Sequence, residues 1–170
     1  MFSVTSTEQI PCPCCGELLY KVIGSRLRMG RIETGEKNVY SIRRFRCQQC
    51  RKIHHELPDL LVPYKRYEAS VIEGCLEGYE PVVLEVDELT VSRWISWFSI
   101  MVEYWIQVII SLLIQRQLEP NLVTVLSDCS LSVLDRIGRL TGDASDWLAR
   151  LVQPVVNHHF WLHTRFACLS

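Results

Sequence analysis

Two Cys-x-x-Cys pairs, Cys12/Cys15 and Cys47/Cys50, restrict what this chain can fold into more than any other feature. Two residues between cysteines form a tight knuckle whose sulfurs both reach one ion. Two knuckles complete a tetrahedral set of four thiolates. Gly16 follows the first pair and tolerates the positive φ that such a turn requires. The spacing predicts one structural zinc ion on Cys12, Cys15, Cys47 and Cys50, in a small zinc ribbon that cannot build a sufficient core unaided. Four thiolates leave no open coordination position, so metal-assisted hydrolysis is not expected. The plainer alternative is that these cysteines are buried thiols. Cys14 competes as a ligand by proximity but not by spacing, and His54 and His55 are alternative ligands that read better as strand or surface residues.

Residues 12–57 hold the cysteine pairs around a β-hairpin, with strands Leu18 to Met29 and Asn38 to Cys47 and a turn at Glu33-Thr34-Gly35-Glu36. In the second strand Tyr40, Ile42 and Arg44 alternate with Val39, Ser41, Arg43 and Phe45, so the two sets face opposite ways. Arg51 to Leu57 is a candidate third strand. The expected organisation is a flexible leader (1–11), the zinc ribbon (12–57) and an extended basic and aromatic linker between Pro58 and Arg66. A region with a helix-turn-helix-like segment and a long helix (67–119) and a C-terminal helical region (120–170) follow. The fold class is α+β, a small β ribbon followed by a mainly α-helical domain.

Charge is divided along the chain. Cys12 to Tyr67 carries twelve Lys+Arg against five Asp+Glu, and the remainder six against fourteen. The front segment therefore seeks anions. Arg26, Arg28, Arg43, Arg44, Arg46 and Lys52 on the ribbon, with Tyr64, Lys65, Arg66 and Tyr67 after it, are the candidate DNA contacts. The plain alternative is a solvated strand face.

The helical half begins with a pattern from Tyr67 to Leu76. Asp87 can cap a helix running from about Glu88 to Gln117. Thr90, Ser92 and Arg93 near its start are candidate groove contacts of a helix-turn-helix, although Asp87 and Glu88 repel phosphate. An ordinary helical pair fits the same pattern. Trp94 to Leu113 has the length of a membrane span. Glu103 and Gln107 at its centre, and Trp94, Trp97, Phe98, Met101, Trp105, Val108, Ile109 and Leu112 at helical spacing, favour a buried soluble helix instead. Pro120-Asn121 is expected to break the chain, Asp128 to interrupt the helix after it, Ser145 to start a last helix and Pro154 to kink or end it. Cys75, Cys129 and Cys168 stand outside the pairs, and His158, His159 and His163 lack the acidic neighbours of a metal site. With no secretory pattern at the start, a reducing cytoplasmic setting is expected, where disulfides are rare. No catalytic set, phosphate loop or nucleophile motif appears, so the chain is not expected to be an enzyme.

The run Cys47-Gln-Gln-Cys-Arg-Lys-Ile-His-His-Glu-Leu-Pro-Asp59, followed by Leu61-Val-Pro-Tyr-Lys-Arg-Tyr67, resembles an uncharacterised bacterial family. Leu89–Phe98, Trp147–Val152 and Trp161–Arg165 resemble it too. That family pairs a zinc ribbon with helices and is similar to the N-terminal DNA-binding regions of insertion-element transposases. The resemblance implies a non-enzymatic DNA-binding protein of mobile-element origin, an accessory factor or regulator, with a transposase or another protein as a further partner. The competing reading is a protein-interaction adaptor built from the ribbon and the Trp-rich helices, with no nucleic acid; homo-oligomerisation is compatible with either.

Overall fold

The computed structural model describes residues 1–170 apart from 4, 6–10, 19, 80–84, 117–119, 129, 143–144, 159 and 162–170. Its architecture is α+β, an N-terminal sheet followed by helices. The chain divides into two compact units, Met1–Val91 and Ser92–Ser170.

The first unit is built on an antiparallel hairpin of β2 (Tyr20–Arg31) and β3 (Lys37–Cys47). Gly35, at φ 75°, closes the turn by donating its N–H to the Ile32 carbonyl at 3.0 Å. The ladder pairs Tyr20 with Cys47 and Arg31 with Lys37, and a β-bulge between Val22 and Gly24 shifts its register. β4 (Ile53–His55) lies antiparallel to Arg44–Arg46. It is shorter than the expected 51–57 strand, because Arg51 and Lys52 close the second cysteine knuckle.

The leader is not free at its start. β1 (Phe2–Ser3) pairs in parallel with Tyr40 and Ser41, and the Phe2 ring stacks on Tyr40 at 5.7 Å. Most of the remaining leader lies outside the described residues.

Residues 58–66, expected as an extended linker, also contribute core residues. Leu61 and Val62 are buried, and Leu61 joins Tyr40 and Ile42 in a core cluster with Leu57 against it. Gly30 permits the approach: a Cβ there would stand 2.8 Å from the Leu61 side chain. The Arg31 N–H donates to the Arg66 carbonyl and the Glu68 N–H to the Arg31 carbonyl, both at 2.9 Å, tying the segment to the end of β2. Tyr67 and Glu68 are held as bridge partners of Arg31 and Leu61, so α1 (Ala69–Leu76) starts two residues later than the helical pattern.

In α2 (Glu88–Gln115), Asp87 accepts from the Thr90 N–H at 2.9 Å, the expected cap. The segment between α1 and α2 runs from 77 to 87, far longer than the roughly 3–4-residue turn of a helix-turn-helix.

In the second unit the apolar face anticipated on α2 is buried in full, from Trp94 through Leu112. The helix is nonetheless long and apolar enough to cross a membrane by length and composition. Trp105 stacks on Trp161 at 5.3 Å and meets Trp97 edge-on at 5.2 Å; Phe98 meets Trp147 at 5.6 Å. Glu103 lies on the exposed side of the helix, its side chain 52% exposed, and pairs with the buried Arg136. Pro120 opens α3 (Pro120–Ser127) where a break was expected, since proline is tolerated in a first helical turn. α4 (Val133–Thr141) is capped by Ser132, which accepts from the Asp135 N–H at 3.1 Å. α5 (Trp147–Asn157) is preceded by Asp146 at φ 70° rather than capped by Ser145, and it passes Pro154 before ending one turn later.

Candidate metal centre

The two cysteine knuckles are built alike. In the first, the Gly16 N–H donates to the Cys12 carbonyl at 2.7 Å and the Cys12 N–H to the Glu17 carbonyl at 2.8 Å. In the second, the Arg51 N–H donates to the Cys47 carbonyl at 3.1 Å and the Cys47 N–H to the Lys52 carbonyl at 3.0 Å. The residue after each pair takes the left-handed conformation, Gly16 at φ 75° and Arg51 at φ 65°. Glycine adopts it freely; arginine holds it under strain.

The knuckles bring the Cys12, Cys15, Cys47 and Cys50 sulfurs within 4.8 Å of one another. Cys12–Cys50 and Cys15–Cys47 are each 3.6 Å apart. That is far beyond the roughly 2.05 Å of a disulfide. It is close to the ~3.8 Å edge of a tetrahedron with 2.3 Å metal–sulfur bonds. The four cysteines can therefore hold a metal ion.

The thiols ionise unequally. Burial pushes the Cys12 thiol up, but backbone hydrogen bonds from Cys14 and Cys15 and the neighbouring sulfurs outweigh it and bring it down to about 6. For Cys15 a backbone hydrogen bond at Glu17 lowers the value, yet burial and the Cys47, Cys12 and Cys50 sulfurs push it up to about 12. Cys50 also rises, with burial and Cys12 and Cys47 opposing the backbone bond at Lys52. Cys12 is thus the readiest of the three to form a thiolate, and the neighbouring sulfurs oppose ionisation of Cys15 and Cys50.

A second group lies beside the first. Cys12, Cys14 and His54 also fall within 4.8 Å of one another, and His54 Nε2 is 3.4 Å from Cys12 Sγ. The sheet explains this placement. Alternation puts Cys47 and Phe45 on one face of β3, and their cross-strand partners are Tyr20 and His54. The Tyr20 ring meets His54 edge-on at 6.1 Å. Burial, reinforced by the Cys12 sulfur, raises the Tyr20 phenol well above its ordinary value. Spacing in the sequence did not separate His54 from His55. The β3–β4 register does, because His55 pairs with Arg44 and so lies on the opposite face.

That opposite face gathers positive charge. The register sets Lys21, Arg26, Arg44 and Arg46 there with His55. Burial and the charges of Arg26, Arg44, His54 and Arg28 all lower the His55 value, a mark of positive potential. Among the described residues none of Lys21, Arg26, Arg44 and Arg46 is in an ion pair, and the buried Arg44 Nε has no hydrogen-bond partner.

The other expected DNA contacts are placed differently. Arg28 donates through one nitrogen to the Val62 and Lys65 carbonyls, both at 3.0 Å, so it ties residues 62–65 to the sheet. Arg43 faces the other way, forms two 2.6 Å bonds with Glu56 and lies 5.0 Å over the Phe45 ring. Its charge is answered within the fold. Tyr67 receives Arg31, whose guanidinium also lies 5.5 Å from the Tyr67 ring. Burial lowers the half-buried Lys65 to about 8. Lys52, Tyr64 and Arg66 are exposed, as are Ser92 and Arg93, while Thr90 is half-buried. Cys75 is buried in α1; Cys129, Cys168, His159 and His163 lie outside the described residues.

No curated protein and no solved structure matches this chain. Residues 12–94, from the first knuckle into α2, match the model of an uncharacterised domain family, the Domain of unknown function DUF6431.

Proposed function

We propose that this chain is a non-enzymatic, zinc-dependent DNA-binding protein of transposase-like origin, acting in the cytoplasm as an accessory factor or regulator. Cys12, Cys15, Cys47 and Cys50 hold one zinc ion as a structural centre, a choice that four close thiolates favour. The ribbon they stabilise presents Lys21, Arg26, Arg44 and Arg46 to the phosphate backbone. The observation that carries this reading is the gathering of those four cations on one sheet face without ion pairs among the described residues. Lys52, Tyr64 and Arg66 extend the contact. Thr90, Ser92 and Arg93 have a secondary part, because Asp87 and Glu88 at the same helix start disfavour phosphate.

The test is fluorescence anisotropy of the zinc-loaded full chain on a DNA duplex against salt. Four phosphates neutralised give a log–log slope of about −3.6, a loss of roughly 150-fold between 50 and 200 mM salt. Arg26→Ala, Arg44→Ala and Arg46→Ala are each expected to reduce the slope by about 0.9. No binding at low salt, or a slope indifferent to all three, would sink the proposal.

A protein-interaction adaptor is the second reading, and one observation favours it. Val22, Leu27 and Met29 on the other sheet face are more than half exposed, at 51%, 60% and 58%. A stable oligomer abolished by Leu27→Glu, together with absent DNA binding, would select it.

A further inference from the structure

Cys12 differs from the other three cysteines of the centre in being common to both ligand groups; like Cys47 it is buried. Beside it stands an imidazole nitrogen at 3.4 Å. That distance suits two arrangements: a hydrogen bond from N–H to sulfur, or a shared ion, whose sulfur–nitrogen edge would be about 3.5 Å. The grouping of the ligands separates them. Cys12, Cys15, Cys47 and Cys50 already form a complete set of four, and His54 groups with only Cys12 and Cys14. An ion centred among the four thiolates therefore leaves His54 outside its coordination sphere, facing Cys12.

We propose that His54 is a positioning residue of the metal centre, donating Nε2–H to the Cys12 thiolate while the Tyr20 ring holds the imidazole in plane. The inference rests on the metal-binding reading above. A bound thiolate has lone pairs and no hydrogen, so the nitrogen facing it carries the proton. Four thiolates around a dication leave the centre with net negative charge, and a donor aimed at one sulfur offsets part of it. The donor also fixes the Cys12 rotamer. The sheet supplies the alignment: His54 is the partner of Phe45, Tyr20 is the partner of Cys47, and their rings meet at 80°. His54 is thus delivered by β4, an element contributing no cysteine, which couples the pairing of that short strand to the metal.

The experiment uses Co(II)-loaded full chain, with affinity measured by chelator competition and the sulfur-to-cobalt charge-transfer bands recorded alongside. His54→Leu is expected to weaken Co(II) binding about 10- to 100-fold. Its charge-transfer bands should move to lower energy while the ligand-field pattern stays that of four sulfurs. His54→Gln, which keeps a side-chain N–H, is expected to recover most of the affinity, and Cys14→Ser to leave it unchanged. A His54→Leu affinity within threefold of the wild type with unmoved bands would overturn the proposal. So would a wild-type spectrum of mixed nitrogen and sulfur ligation, which would make His54 a ligand. Should His54→Leu fail to fold, nitrogen NMR of the Cd(II)-loaded wild type decides: Nε2 protonated supports the proposal and Nε2 bare overturns it. Failure of the wild type to bind Co(II) or Cd(II) at all would instead remove the metal-binding reading, and this inference with it.

Discussion

Replacing Arg28 separates its two possible uses, because each predicts a loss in a different measurement. In the fold its guanidinium donates to the Val62 and Lys65 carbonyls, each at 3.0 Å. A hydrogen bond involving a charged group contributes about 1.5–3 kcal/mol. The lower value applies here, since burial and the neighbouring Arg26 both disfavour the Arg28 charge. Two bonds at that lower value, less the relief of repulsion with Arg26, leave Arg28→Ala destabilised by about 2 kcal/mol. With a urea slope of about 1–3 kcal/mol/M, the midpoint of the metal-loaded chain falls by roughly 1 M. Hydrogen exchange should accelerate at the Arg31 and Glu68 amides, which tie the same segment to β2. A phosphate-contacting Arg28 would behave oppositely: stability unchanged, with the salt slope of DNA binding reduced by about 0.9. A midpoint within 0.2 M of wild type would refute the structural assignment.

Four further outcomes are expected. Removing the metal with a chelator, or substituting Cys47→Ser, should abolish the sheet signals of the first unit, because structural thiolate sites contribute about 10–16 kcal/mol to folding; circular dichroism and metal analysis read this. Gly30→Ala should destabilise by about 1–3 kcal/mol, since its Cβ would stand 2.8 Å from Leu61 and 3.0 Å from Glu68, and urea unfolding measures it. Arg51→Gly should stabilise by about 1 kcal/mol by relieving a φ of 65° that the Gly16 knuckle shows to be glycine-compatible. Lys65, lowered to about 8 by burial, binds fewer protons folded than unfolded between about pH 8 and 10.5, so stability should rise across that window. Lys65→Met should remove the rise, as read by urea midpoints at pH 7 and 10.

What the sequence made legible follows its strongest periodicities. Fixed cysteine spacing allowed only a few ways to close a knuckle, and the four-sulfur cluster is where that spacing put it. The α2 face was legible because eight apolar residues recur at helical spacing, and each is buried. β1 was not legible, since two residues carry no period; Phe2 is placed by pairing with Tyr40, far away in sequence. Residues 58–66 read as an extended linker because two prolines bracket the apolar run, and that reading did not show that Leu61 and Val62 are core. Gly30 within a strand was the overlooked signal, marking where the Leu61 and Glu68 side chains approach closely. Ser132-x-x-Asp135 was a second overlooked signal, a helix cap whose pair closes at 2.6 Å.

Charge was the least legible property, and the reason is physical. A one-dimensional count treats every arginine of the ribbon alike, but its use depends on what lies across the sheet. Arg43 and Arg44 are adjacent in sequence and therefore point to opposite faces. The face of Arg43 meets Glu56, which accepts from it twice at 2.6 Å. The face of Arg44 meets Arg26, Arg46 and His55, and its Nε is buried without a partner. A buried donor without an acceptor is costly, and a phosphate oxygen is a suitable acceptor. The same alternation that separates these arginines puts His54 beside Cys12 and His55 beside Arg44. The short strand β4 thereby serves both faces at once, one histidine toward the cysteine cluster and the other toward the cations. Loss of β4 pairing should therefore disturb metal affinity and anion binding together, although no side chain belongs to both.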